Sequence, residues 1–247
     1  GDLANTVSRT RSRSDKAIDG LFEDALGCLP SDSSHYERAV VLMNYAVFLN
    51  ERNDLEPALC QERALGHIDD AIAVLQGGHS AKLGRTQVAQ ACAHLTRGNI
   101  IRSRFYGDAR RRLEASLDSY EEALRCLGDR ECPPRGAVLL NKAHAYASLA
   151  GMAKDPGYLA RAKLAADEAV KLLSDSPTHH GEGLVARAQI LARIGGASEL
   201  RDALDDATQG LLLLESTGRP LRAREWASRS SRVRSPAIWG IDRIAPA

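Results

Sequence analysis

The phrase "YEEALRCLGD" begins at Tyr120 and has near-copies at Phe22 ("FEDALGCLPS"), Ile68 ("IDDAIAVLQG") and Ala166 ("ADEAVKLLSD"). Long-period self-similarity constrains a chain strongly, because one small unit must then be reused along its length. The copies align on Ala25, Ala71, Ala123 and Ala169, and a fifth, degenerate copy at "ALDDATQGLLLLES" puts Gly210 in that slot. Three residues before the slot stand Phe22, Ile68, Tyr120, Ala166 and Ala207; seven before it stand Ile18, Ala64, Ser116, Ala162 and Ala203. Offsets of three, four and seven stack side chains on one helix face. That face is small or apolar in every copy, which predicts a buried stripe. The acids before the slot, Asp69 and Glu121 among them, fall on the solvated side. The phrase therefore reads as the second helix of a repeating helix pair.

The first helix should precede it. "AVVLMNYAVFL" (39–49) and "GAVLLNKAHAY" (136–146) align without gaps on Val, Leu, Asn and Ala. "LVARAQIL" (184–191) and "VAQACAHL" (88–95) keep a large-x3-small-x2-large pattern, with Ala188 and Cys92 in the small position beside Ala46 and Ala143. A small residue there is a notch that lets a neighbouring helix axis come close. A helix pair cannot bury its own apolar face; stacking on the next pair does so. The expected fold is all-α, a right-handed alpha-alpha superhelix of about five helix pairs with the first incomplete. Residues 1–34 form a partial first repeat with its second helix over 15–29. Four helix pairs occupy 35–216, and 217–247 form an Arg-rich capping helix and tail.

Composition narrows the function. Aromatic residues are 4% of the chain, so the core must be built from Ala, Leu, Val and Ile. A net charge of +1 supplies no global field toward nucleic acid or membrane. No apolar run approaches the roughly 18 residues that span a bilayer. The opening "GDLANTVSRTRSRS" lacks the apolar core of a secretory signal and has no initiator Met, which suggests a piece of a longer protein. Cys28, Cys60, Cys92, Cys126 and Cys132 are scattered, with no CxxC pair, and point to reduced thiols in a cytoplasmic protein.

Candidate chemistry is sparse. Cys28 and Cys126 follow the slot alanine by three, where other copies carry Val74 and Leu172, so they read as core; Cys60 and Cys132 lie in less regular segments and are expected to be exposed. His35, His67 and His79 read as solvent-facing, whereas His94 and His144 lie on first helices. "HHGE" puts His179 and Glu182 three apart, but a zinc site needs three or four ligands, and an opening helix turn explains the pair better. No Gly-rich phosphate loop, HExxH or GxSxG is present, so no cofactor and no metal is called for. The tail "RPLRAREWASRSSRVR" (219–234) fits a polar cap, with Leu221, Trp226 and Val233 covering the last repeat, and fits a nucleic-acid contact less well.

The small-residue first helix, followed by the small-x3-large-x2-Ala second helix and by Pro30, resembles the tetratricopeptide repeat. The resemblance covers roughly residues 15–216 and departs in length, since the usual unit is about 34 residues. The longer unit, with "GDLANT" at its start, is similar to arrays found beside CHAT protease or STAND ATPase domains. Such an array implies a non-enzymatic protein–protein interaction module, a scaffold, sensor or regulatory part. It would receive a protein or peptide segment in the concave groove of its first helices, and the partner could be an effector domain of the same polypeptide. The implied groove residues are Asn44, Val47, Gln90, Asn141, His144 and Gln189. Val40, Met43, Ala137 and Leu140 stand where lysines of a carboxylate clamp would be, which argues against chaperone-tail binding. Two other classes remain open: an enzyme using the groove through His144, Cys60 or residues 179–182, and a nucleic-acid regulator working through the Arg-rich tail.

Overall fold

The computed structural model describes residues 15–29, 35–52, 56–77, 83–104 and 106–217. The "GDLANT" opening and the tail beyond Thr217, with its expected capping helix, lie outside the described residues, as do His79 and the side chain of His35. Among the described residues all regular structure is helical: α1 (Asp15–Cys28), α2 (His35–Glu51), α3 (Pro57–Gly77), α4 (Leu83–Ser103), α5 (Ala109–Leu127), α6 (Pro133–Ala153), α7 (Pro156–Leu172), α8 (Pro177–Ile194) and α9 (Ala197–Ser216).

The helices pack in sequence-adjacent pairs, α2 on α3, α4 on α5, α6 on α7 and α8 on α9, and each second helix also meets the first helix of the next pair. First helices touch one another (α2 with α4, α4 with α6, α6 with α8), and second helices make no comparable contact with each other. The chain is thus an all-α solenoid, a helical repeat array with first helices along its inner row. Its core is a string of linked clusters: one joins α1 to α4, the next α4 to α6, and later ones carry the burial on to α9.

The slot face is buried as the repeat requires. Ala71, Ala123 and Ala169 are buried, and so are Phe22, Ile68, Tyr120 and Ala166 three residues before their slots. Gly210 replaces alanine in α9 because a Cβ there would come within 2.9 Å of the Gly181 carbonyl of α8. The two backbones meet directly at that point.

The notch of α4 differs from the sequence reading. Ala46, Ala143 and Ala188 are buried, but Cys92 is only half-buried, and Gly98 occupies the equivalent place against Tyr120. Gly98 also stands as far before Ala123 as Ala46 stands before Ala71. With Gly98 in the notch, the buried small residues Ala39, Ala91, Gly136 and Gly181 all fall seven positions earlier. The register of α4 therefore lies six residues later than the "VAQACAHL" frame.

Four side chains depart from expectation, and one of them is Cys132, half-buried against the cluster that joins α4 to α6. Cys60 is buried inside α3, because the helix starts at Pro57 and takes in the segment that looked irregular. Cys28 is exposed, because among the described residues no first helix of its own unit packs against α1. His67 is half-buried and stacks on Tyr45, with ring centroids 4.4 Å apart.

Candidate functional site

Every described unit ends its preceding helix the same way. The last carbonyls of an α-helix lack partners inside the helix. Eight residues before each notch, a side chain of the next first helix supplies one. Arg38 donates to the Leu26 carbonyl at 3.3 Å, Gln90 to Leu75 at 3.1 Å and Arg135 to Gly128 at 2.6 Å, while His180 Nδ1 lies 3.2 Å from the Val170 carbonyl. Gln90, a residue the resemblance placed in the groove, is in this set. His180, half of the "HHGE" pair, is in it too, and His179 bonds Ser176 at 2.8 Å.

The acids of the phrase have a second role beyond solvation. Two residues before the slot, Asp69 pairs with Arg97 at 2.8 Å, Glu121 with Lys142 at 2.6 Å and Asp167 with Arg187 at 3.4 Å; Glu23 receives the Tyr45 hydroxyl at 3.4 Å. Each partner stands immediately before its notch, on the next first helix. Each of these acids, half in water, reaches across to the following pair. The partner then touches its own second helix four residues before that slot: Tyr45 on His67, Arg97 on Ser119 (3.1 Å) and Arg187 on Asp206. In the unit of Lys142 that position is Ala165, which is buried and has no polar side chain to offer. These rungs run along the outer side, between successive second helices.

The two end rungs are the most elaborate. At one end Asp19 accepts from Tyr45 at 2.6 Å and from Arg52, and Arg63 donates to the Tyr45 hydroxyl at 2.7 Å. Burial, and then the Asp19 carboxylate, push the Tyr45 phenol far above its ordinary range. At the other end Arg187 forks onto Asp206 at 2.6 and 2.7 Å. That contact, against the opposing cost of burial, holds the guanidinium more firmly protonated. A cleft of about 290 Å³ opens beside it, lined also by Lys163, Asp202 and Asp205. Its two cations, Lys163 and Arg187, are paired with Asp167 and Asp206.

The inner row carries the other residues named from sequence. Val47 of α2 is 40% exposed, and Asn44 and Gln189 are half-buried on α2 and α8. Asn141 and His144 come together on α6. Asn141 Nδ2 donates to its own helix at Ala137 (2.9 Å), and its Oδ1 accepts from Arg102 of α4 at 3.1 Å. Burial, with the Arg102 charge second, drives the His144 imidazole down to about 3. Farther along α6, Arg193 of α8 donates to the Ala147 carbonyl at 2.6 Å. Burial lowers this guanidinium below its usual range. Sequence reading missed Arg102 and Arg193. Their signal is positional: both lie in the last turns of first helices, on the row where the chain otherwise shows neutral amides.

The reactive side chains are not brought into one constellation. Cys60 lies in α3, His144 in α6 and His179 at the start of α8. Among the described residues no three or more His, Cys, Asp or Glu groups converge as metal ligands, and no helix is long and apolar enough to cross a membrane. Burial raises the thiols of Cys92 and Cys126, the opposite of what a thiolate nucleophile needs. No protein-family model matches the chain, and no curated protein matches its sequence.

Proposed function

We propose that the chain is a tetratricopeptide-like interaction module that binds a protein segment along the inner row of its first helices. The observation that carries this reading is the contact pattern: α2, α4, α6 and α8 touch one another in series. Amide side chains and open apolar surface stand along that row, at Asn44, Val47, Asn141 and Gln189. Asparagine and glutamine amides offer both a donor and an acceptor to a peptide backbone. The outer side, by contrast, spends its charges on rungs between units. The bound segment is a part of another protein or an effector domain of the same polypeptide, and the module serves as a scaffold or regulatory part.

A displayed random-peptide library selected on the immobilised chain tests this. Peptides should be enriched whose capture is lost on Asn44→Ala, Asn141→Ala or Val47→Asp and retained on Lys171→Ala, an exposed outer change. Equal loss with the outer variant, or retention with all three inner ones, would remove the inner row as the binding face.

A further inference from the structure

We propose that residues 220–234 form the first helix of a sixth unit and seat it on the open face of α9. The occupant is this chain's own segment beyond the described residues, and the cover is independent of what the inner row binds. Leu200, Leu204 and Leu211 lie ten and six residues before and one after the Gly210 slot, a spacing that puts them on one helix face. They are between 41% and 54% exposed. The same places hold Leu113, Leu117 and Leu124 in α5 and Gln61, Leu65 and Ile72 in α3, all buried or half-buried. In α7 the place after the slot is Val170, and α8 reaches it: a Cβ at Gly183 would lie 3.3 Å from the Val170 Cγ2. The α9 stripe is thus the surface on which earlier units receive their next first helix, left open among the described residues.

The residues that follow carry that helix's frame. Relative to its notch, a first helix places a carbonyl-capping side chain eight back, a small residue seven back and a rung partner one back. In α6 these are Arg135, Gly136 and Lys142 before Ala143. With Ser230 as the notch, the segment supplies Arg222, Ala223 and Arg229 at the same places. Trp226-x3-Ser230-x2-Val233 repeats the large-small-large pattern that Leu139, Ala143 and Tyr146 make in α6. Pro220 stands ten before Ser230, as Pro133, the first residue of α6, stands ten before Ala143. Arg222 follows Gly210 by twelve residues, as Arg135 follows Ala123. Pro236 then ends the stretch. Two places depart: Glu225 stands where α6 buries Val138, and Thr208 stands where the other second helices carry the rung acid. The seam is therefore weaker than those before it, and its hold comes from Trp226 and Val233 on the three leucines.

Trp226 and Trp239 are the only tryptophans, so Trp226 alone reports once Trp239→Phe is in place. In the full chain carrying that change, Trp226 emission should be blue-shifted from that of tryptophan in water, protected from acrylamide and independent of protein concentration. Leu204→Glu should shift the emission to the red and raise its acrylamide quenching severalfold. Leu212→Glu, exposed on the same helix but off the stripe, should do neither. Ser230→Phe, which leaves every described residue untouched, should act like Leu204→Glu by filling the notch. Ser231→Phe, one residue on, should not. Water-like emission in the parent, or emission indifferent to Leu204→Glu, overturns the proposal. A blue shift that grows with protein concentration gives the face to a second copy, and equal effects of Ser230→Phe and Ser231→Phe remove the register; either result overturns it as well.

Discussion

Gly98 of α4 lies so close to Tyr120 of α5 that a Cβ at residue 98 would fall 2.4 Å from the tyrosine Cε1. Tyr120 is fully buried and its hydroxyl is tied to Asn99 at 2.9 Å, so the ring has nowhere to retreat. Gly98→Ala gains about 1 kcal/mol in helix propensity and loses more to overpacking. A net destabilisation of about 1–2 kcal/mol is expected in urea unfolding. Adding Tyr120→Leu should erase most of the penalty of the alanine, as a double-mutant cycle would show.

Asp206 is the buried end of the last rung. Removing it with Asp206→Ala leaves Arg187 with Asp167 alone, at 3.4 Å and half in water. The loss should be about 1–3 kcal/mol. Glu122→Ala breaks the exposed contact to Arg125 instead and should cost about 0.5 kcal/mol or less. Comparing the two denaturation midpoints separates rungs that hold units together from surface pairs that do not.

Among the described residues, the face that α5 offers to the next unit is covered and the matching face of α9 is not. Ten residues before the slot, Leu113 is 6% exposed and Leu200 is 53% exposed. Leu113→Glu is therefore expected to cost about 3–5 kcal/mol. Leu200→Glu costs about 0.5 kcal/mol or less on a bare face. With residues 220–234 seated there, a larger loss is expected in the full chain, and a loss within that bound would count against the cover.

His67, His94 and His144 are all held below the ordinary histidine value, with burial the leading cause for each. A folded chain with depressed histidines binds fewer protons than the unfolded chain between the two pKa values. Stability should then rise with pH across that window, which for His144 runs from about 3 to 6.5. Between pH 7 and pH 5, above most carboxylate titration, the urea midpoint should fall as acid is added. His144→Gln should flatten that slope, and an unchanged slope would mean that His144 protonates in the folded chain.

Much of the fold was legible because period and residue size report burial directly. The slot alanines and the residues three and seven before them could be placed from spacing alone. The register of α4 was misread because Cys92 lies in a locally convincing large-small-large frame. The correct notch was still written in the sequence, in the equal distances from Ala46 to Ala71 and from Gly98 to Ala123. The role of the acids was harder to see. Whether Asp69 faces water or a neighbouring unit depends on how pairs stack, which no single helix period encodes. Gln90 and Arg102 illustrate the same limit at the inner row: each is polar and helical, yet one caps a neighbouring helix and the other crosses to Asn141. Cys28 followed its core position in every respect except the missing neighbour.

Contacts in this array are confined to neighbouring pairs, as the linked clusters from α1 to α9 describe. Held at its two ends and stretched, such a chain has no central knot of structure to give way at once. It should lengthen in a succession of small yields, one helix pair after another, the weakest seam first. The tightly joined α8 and α9, glycine against glycine and arginine forked on aspartate, should be among the last to part.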